Sequence, residues 1–153
     1  MKVFYLLLLG LLLGGCESMS SRMSERFTKV PPHTRVFPVE QRLVYVAAQQ
    51  AVKRTGLLIS HASAGEWTIK GYAPIRSGDV AQDARQTTIE IRLFETADME
   101  TRVEVLVWEN SEGAFPGGVS EQALAEHSLY QLYFDALQNV MLEDGTLKAG
   151  AKP

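Results

Sequence analysis

The residue with the sharpest chemistry in this chain is Cys16, the only cysteine among its 153 residues. A thiol standing alone can form no internal disulfide and no cysteine metal cluster. The three histidines, His33, His61 and His127, are far apart in sequence and supply none of the close pairs that metal-binding helices present. Each reads more simply as structure: His33 in a tether, His61 on a strand, His127 on a helix. Gly118-Val119-Ser120 opens like a nucleophile elbow, but Gln122 stands where the second glycine is needed, and Ser120 is better read as a helix N-cap. Gly113, Gly117 and Gly118 precede that helix, where an anion could sit. Their spacing fits neither a phosphate loop nor a dinucleotide fingerprint, so loop flexibility is the simpler reading. Asp79, Asp83, Glu109 and Glu112 fall in polar stretches and read as solvated charge. The expectation is a non-enzyme with no catalytic residue, no metal and no cofactor.

What surrounds Cys16 gives it a different role. Lys2 supplies a positive start, Val3 to Leu13 an apolar block, and Gly14 and Gly15 the small residues that fit a peptidase cleft. The apolar run is well short of the roughly 20 residues a membrane-spanning helix needs before Glu17 interrupts it. This is signal-peptide order. Leu13-Gly14-Gly15-Cys16 resembles the lipobox of bacterial lipoproteins. The resemblance implies diacylglycerol in thioether linkage to Cys16, cleavage before Cys16, and acylation of the new amino group. One acyl chain binds a bilayer only reversibly at about 0.8 kcal/mol per buried CH₂, whereas two or three anchor it stably. An aspartate after the lipidated cysteine favours inner-membrane retention in such proteins. Glu17 occupies that position here, so the resemblance implies the outer membrane, with the inner membrane or another cell-surface anchoring as the alternative.

The segment from Glu17 to His33, rich in serine and closed by Pro31-Pro32, reads as a flexible tether with an r.m.s. span of about 20–25 Å. The expected organisation is therefore a signal peptide over 1–15, lipidated cysteine and tether over 16–33, one domain over 34–145, and a fraying tail over 146–153. A net charge of −3 without any basic block disfavours nucleic acid and anionic headgroups as partners. With its cysteine committed to lipid, the domain must stand on packing alone.

Periodicity places the elements. After Phe37-Pro38, residues Gln41, Val44, Tyr45, Ala48, Ala51 and Val52 recur at spacings of three and four, a helix ending at Gly56 with Lys53 and Arg54 in its last turn. Leu57 to Ala62 and Glu66 to Ala73 read as a hairpin about Ala64, which sets Ile59 opposite Ile69 and His61 opposite Trp67. Ile75 to Gln86 reads as a loop. Ile89, Ile91 and Leu93 alternate with polar neighbours, as do Val103, Val105 and Val107, which predicts two strands joined by a turn near Asp98. Pairing about Asp98 sets Arg92 opposite Glu104, whereas a two-residue slip opposes Arg92 to Arg102. Glu109 to Val119 reads as a loop. From Ser120 to Leu142, Ala123, His127, Tyr130, Phe134, Leu137 and Met141 recur at helical spacing, predicting a helix about 35 Å long.

Strands grouped between two helices predict an α+β two-layer sandwich: a four-stranded antiparallel sheet, five-stranded if Thr34–Phe37 leads it, with both helices on one face. The element order over Thr34 to Leu142 resembles the helix-grip domains of barrel-assembly-machine lipoproteins and of uncharacterised small lipoproteins; no motif, and hence no site residue, comes with it. The sheet face turned from the helices should carry Tyr72, Leu106 and Trp108. Two readings of that patch stand: an interaction surface, or a face covered by the tether, a loop or a second copy. The functional expectation is a membrane-anchored envelope lipoprotein acting as a non-catalytic protein-interaction or structural module with an envelope protein partner. The alternative is a carrier of a lipid or other apolar ligand held between helix and sheet.

Overall fold

A computed structural model describes residues 30–74, 85–96, 99–112 and 119–148. The chain runs β1 (His33–Phe37), α1 (Gln41–Arg54), β2 (Leu58–Ser63), β3 (Thr68–Tyr72), β4 (Arg85–Glu95), β5 (Thr101–Glu112), β6 (Val119–Leu124) and α2 (Ser128–Glu143). All pairings are antiparallel and the order across the sheet is β1-β5-β4-β3-β2, with β6 also on β5. The α+β sandwich is as expected, with a leading strand and one strand more.

The core lies between the sheet and the helices. Every second residue of the central strands, Ile89, Ile91 and Leu93 on β4 and Val103, Val105 and Val107 on β5, is buried. They meet Val44, Ala48, Ala51 and Val52 of α1 and Tyr130, Tyr133, Phe134, Leu137 and Met141 of α2. Side chains of this size each contribute about 1.5–3 kcal/mol on burial. Gly71 is the tight point on β3, since a Cβ there would lie 3.0 Å from Val52 Cγ1 and 3.2 Å from Ile89 Cγ2.

The ends of α1 follow from local chemistry. Pro38 and Val39 precede the helix, which begins at Gln41, later than the proline suggests, because Val39 and Gln41 are tied to the sheet. Thr101 Oγ1 donates to Val39 O at 2.7 Å, and Gln41 Nε2 donates to Leu93 O at 2.9 Å. At the other end Leu57 N donates to Val52 O and Gly56 N to Lys53 O, with Gly56 at φ +80. This closes the helix on a left-handed glycine as expected. Gly145, at φ +70, does the same after α2. Past it Leu147 is buried and its N–H bonds Met141 O, so the chain expected to fray from Thr146 stays folded through Leu147.

The β4/β5 register is the one expected, with Arg92 opposite Glu104. The side chains do not use it as an ion pair. Arg92 Nη2 turns along its own strand to Glu90 Oε1 at 2.7 Å, and Arg102 Nε approaches Glu104 Oε1 at 3.1 Å. The β2/β3 register differs from expectation: Ala62 faces Ile69, His61 faces Lys70 and Ile59 faces Gly71. The turn spans Ala64 to Trp67 rather than centring on Ala64, because Trp67 takes a left-handed φ of 51. Its ring meets Tyr45 edge-on at 5.5 Å, and its carbonyl accepts from Leu93 N. A bulge between Ile59 and His61 absorbs the remaining shift.

The second correction is larger. Val119–Leu124 is a strand, and α2 begins only at Ser128, so its length is about 24 Å. Strand β5 is 12 residues long, and β1 pairs only its first part, from Thr101 to Val105. The rest of that edge would lie unpaired without β6, and the ladder outweighs the helical preference of the Ser-Glu-Gln-Ala-Leu run. Ser120 therefore pairs with Ser111 and caps no helix. The cap of α2 is His127, whose Nδ1 accepts from Leu129 N at 3.1 Å.

Candidate interaction face

Alternation sends Tyr72, Leu106 and Trp108 to the sheet face opposite both helices. The register draws two of them into one row, for Tyr72 and Trp108 both lie directly opposite Thr88. The row continues to Leu58 beyond Tyr72 and to Ala123 beyond Trp108. It crosses five strands, about 19 Å at the usual strand spacing. Leu106 lies two residues from Trp108, opposite Glu90. Tyr72, Leu106 and Trp108 are each half-buried, and Leu58 is 50% exposed. Among the described residues no helix lies over this face. Sequence reading missed Leu58 and Ala123. Leu58 has this parity in either register, and only the pairing with Tyr72 sets it in the row, while the composition of the run around Ala123 reads as helix.

Around the row, charges are compensated in place. Lys70 Nζ lies 3.9 Å from Glu90 Oε2, and Arg92 bonds the same carboxylate. At the far end Arg102 stacks over the Phe94 ring at 4.9 Å. The face is nearly neutral with an apolar stripe. Beside Trp108 it dips into a shallow concavity of about 370 Å³.

His33 and His127 are placed otherwise than expected, and His61 is on a strand as expected. His33 belongs to β1, stacks on Tyr130 at 3.8 Å and donates from Nε2 to Ala125 O at 2.9 Å. His127 caps α2, so the two share a rim with Glu126 and Tyr130, at a recess of about 500 Å³. His61 is exposed on β2 opposite Lys70. Among the described residues no set of three histidine, cysteine, aspartate or glutamate side chains could hold a metal ion. Cys16, Asp79, Asp83, Gly113, Gly117 and Gly118 lie outside the described residues, as does the side chain of Glu112.

At that rim Tyr130 does structural work. Its hydroxyl accepts from Val107 N at 3.0 Å and donates to Leu124 O at 2.6 Å. It thus bridges a strand pair that would otherwise bond directly, where β6 ends and β1 begins along β5. Burial pushes the Tyr130 phenol above its ordinary range, and the bond to Val107 pulls it partly back. Burial alone pushes up Tyr133, whose hydroxyl has no partner among the described residues. On the surface Arg54 Nη1 donates to Glu143 Oε1 at 2.9 Å, which lowers the Glu143 carboxyl and joins the C-terminal ends of the two helices.

No protein-family model and no curated protein matches the chain. Among solved structures it is similar to the adenylate sensor from AMP-activated protein kinase in complex with ZMP, at 16% identity over 68% of this chain and 94% of that chain, with a TM-score of 0.44. The same sensor complexed with ATP gives 15% identity over 67% and 92%, again with a TM-score of 0.44. Likeness of this degree transfers neither ligand nor activity.

Proposed function

We propose that the chain is a lipoprotein of the bacterial envelope, anchored in the outer membrane through lipid on Cys16, whose domain is a non-catalytic module for binding an envelope protein. The observation that supports it is the inequality of the two sheet faces. One is sealed by α1 and α2, while the other presents Leu58, Tyr72, Leu106 and Trp108 at the surface. Apolar and aromatic side chains grouped at a surface mark interaction sites, with tryptophan and tyrosine supplying most of the energy. The filled space between helices and sheet, where Tyr133, Leu137, Met141 and Val52 are fully buried, favours this over carriage of an apolar ligand. In a strain expressing the chain at native level, the protein partner co-purifies with the parent and is lost with Trp108→Ala and Tyr72→Ala. Undiminished recovery with both variants would refute the docking face. The anchor is tested separately: Cys16→Ser leaves the membrane fraction or stays unprocessed, and a processed, membrane-bound Cys16→Ser refutes lipidation.

A further inference from the structure

The concavity beside Trp108 has a chemistry of its own, and we propose that it binds one ring of a neutral saccharide. It rests on the preceding reading in one respect only, that the outer sheet face meets other molecules. Its walls come from neighbouring strands: Lys70 on β3, Thr88 and Glu90 on β4, Trp108 and Asn110 on β5, and Glu121 on β6. Trp108 and Asn110 are two apart on β5 and share its outer face, while Glu121 lies directly opposite Asn110. The indole thus has acceptors around it.

Asn110 is the informative member. Its Oδ1 is buried without a hydrogen-bond partner among the described residues. An acceptor in that position costs free energy until a donor reaches it. An apolar partner closing over the site would leave it unsatisfied, whereas a hydroxyl group supplies the donor. Glu121 is exposed and adds a second acceptor, and Thr88 can give or take a hydrogen bond.

Charge narrows the ligand further. Glu90 is already met by Arg92 at 2.7 Å and by Lys70 at 3.9 Å, so its carboxylate retains lone pairs without a net field to draw a cation. An anion would face Asn110 Oδ1 and Glu121 at once. What remains is a neutral molecule with several O–H donors and a flat apolar face for the indole, which describes a pyranose ring. Leu58, Tyr72 and Leu106 are not among the walls, so they remain free for a protein contact.

The test uses the full-length chain in a sugar-free detergent, with Trp67→Phe so that Trp108 is the sole tryptophan and is excited selectively over the tyrosines. It is titrated with neutral trisaccharides of glucose, in α- and β-linkage, and of N-acetylglucosamine. At least one gives a saturable change in Trp108 emission, half-maximal on the order of 1 mM, as suits a shallow one-ring site. Asn110→Leu weakens that response at least tenfold while unfolding at the same temperature as the parent or higher, since it removes an unsatisfied acceptor. No saturable response to any of the trisaccharides overturns the proposal, as does unchanged affinity in Asn110→Leu or tighter binding of a sulfated trisaccharide. A protein partner lost with Tyr72→Ala, together with silent titrations, would sink the saccharide subsite and leave the docking face standing. A saturable titration without any such partner would do the reverse.

Discussion

Two tyrosines on one helix should respond in opposite directions to the same substitution. Tyr130→Phe removes a hydroxyl that accepts from Val107 N and donates to Leu124 O, and keeps the ring on which His33 stacks. Two hydrogen bonds of about 1 kcal/mol each are lost, and the buried Val107 N–H must find Leu124 O directly or go unpaired, so the cost is about 2–3 kcal/mol. Tyr133→Phe removes a hydroxyl that is fully buried and unpartnered among the described residues, and should stabilise by about 1 kcal/mol. Urea unfolding at constant m reads both changes. For a domain of this size each kcal/mol moves the melting midpoint by about 3–5 °C, so the two variants should straddle the parent. A destabilised Tyr133→Phe would mean that its hydroxyl has a hydrogen-bond partner, such as a trapped water. A neutral Tyr130→Phe would mean that the hydroxyl is not part of the β5/β6 ladder. Either result refutes the reasoning.

Further expectations follow from the same packing. Burial raises the folded-state pKa of Tyr130 and Tyr133 above the ordinary 10.0. Their contribution to stability is therefore complete below about pH 10 and lost above it, where the unfolded chain releases protons that the folded one holds; an alkaline unfolding series should be flatter for each Phe variant than for the parent. Gly71→Ala places a Cβ 3.0 Å from Val52 Cγ1 and should cost about 1–3 kcal/mol in chemical denaturation. Gly56→Ala meets no neighbour within 4 Å and is costly only through φ +80, by about 1–2 kcal/mol in the same assay. Glu143→Gln removes the carboxyl that Arg54 holds below its ordinary value, so the acid-side loss of stability as pH falls through that range should shrink, read by unfolding at stepped pH.

Much of the fold was legible because its strongest signals are periodic and local. The alternation of Ile89, Ile91 and Leu93 against Val103, Val105 and Val107 defines a strand pair with one buried face, and charge placement selected the right register although Arg92 and Glu104 do not bond. Gly56 and Gly145 ended the helices for the reason glycine usually does. What sequence could not show was set by distant partners. Val119–Leu124 has helical composition, and only the bare half of β5 makes it a strand. Trp67 moves its hairpin register by taking a positive φ against Tyr45. His33 sat in an apparent tether because nothing local foretells a stack on Tyr130 across the junction of β1 and β6. At the candidate face, parity alone found Tyr72, Leu106 and Trp108. The register was needed to see that Tyr72 and Trp108 lie in one row, and the orphaned Asn110 acceptor was visible only in three dimensions.

Site-specific photo-crosslinking in intact cells tests the docking face most directly, with the reactive side chain at Trp108 on the outer sheet face or at Gln50, exposed on α1. An adduct to a discrete protein from position 108 and none from position 50 is the predicted result. No protein adduct from position 108, or equal adducts from both positions, would contradict it.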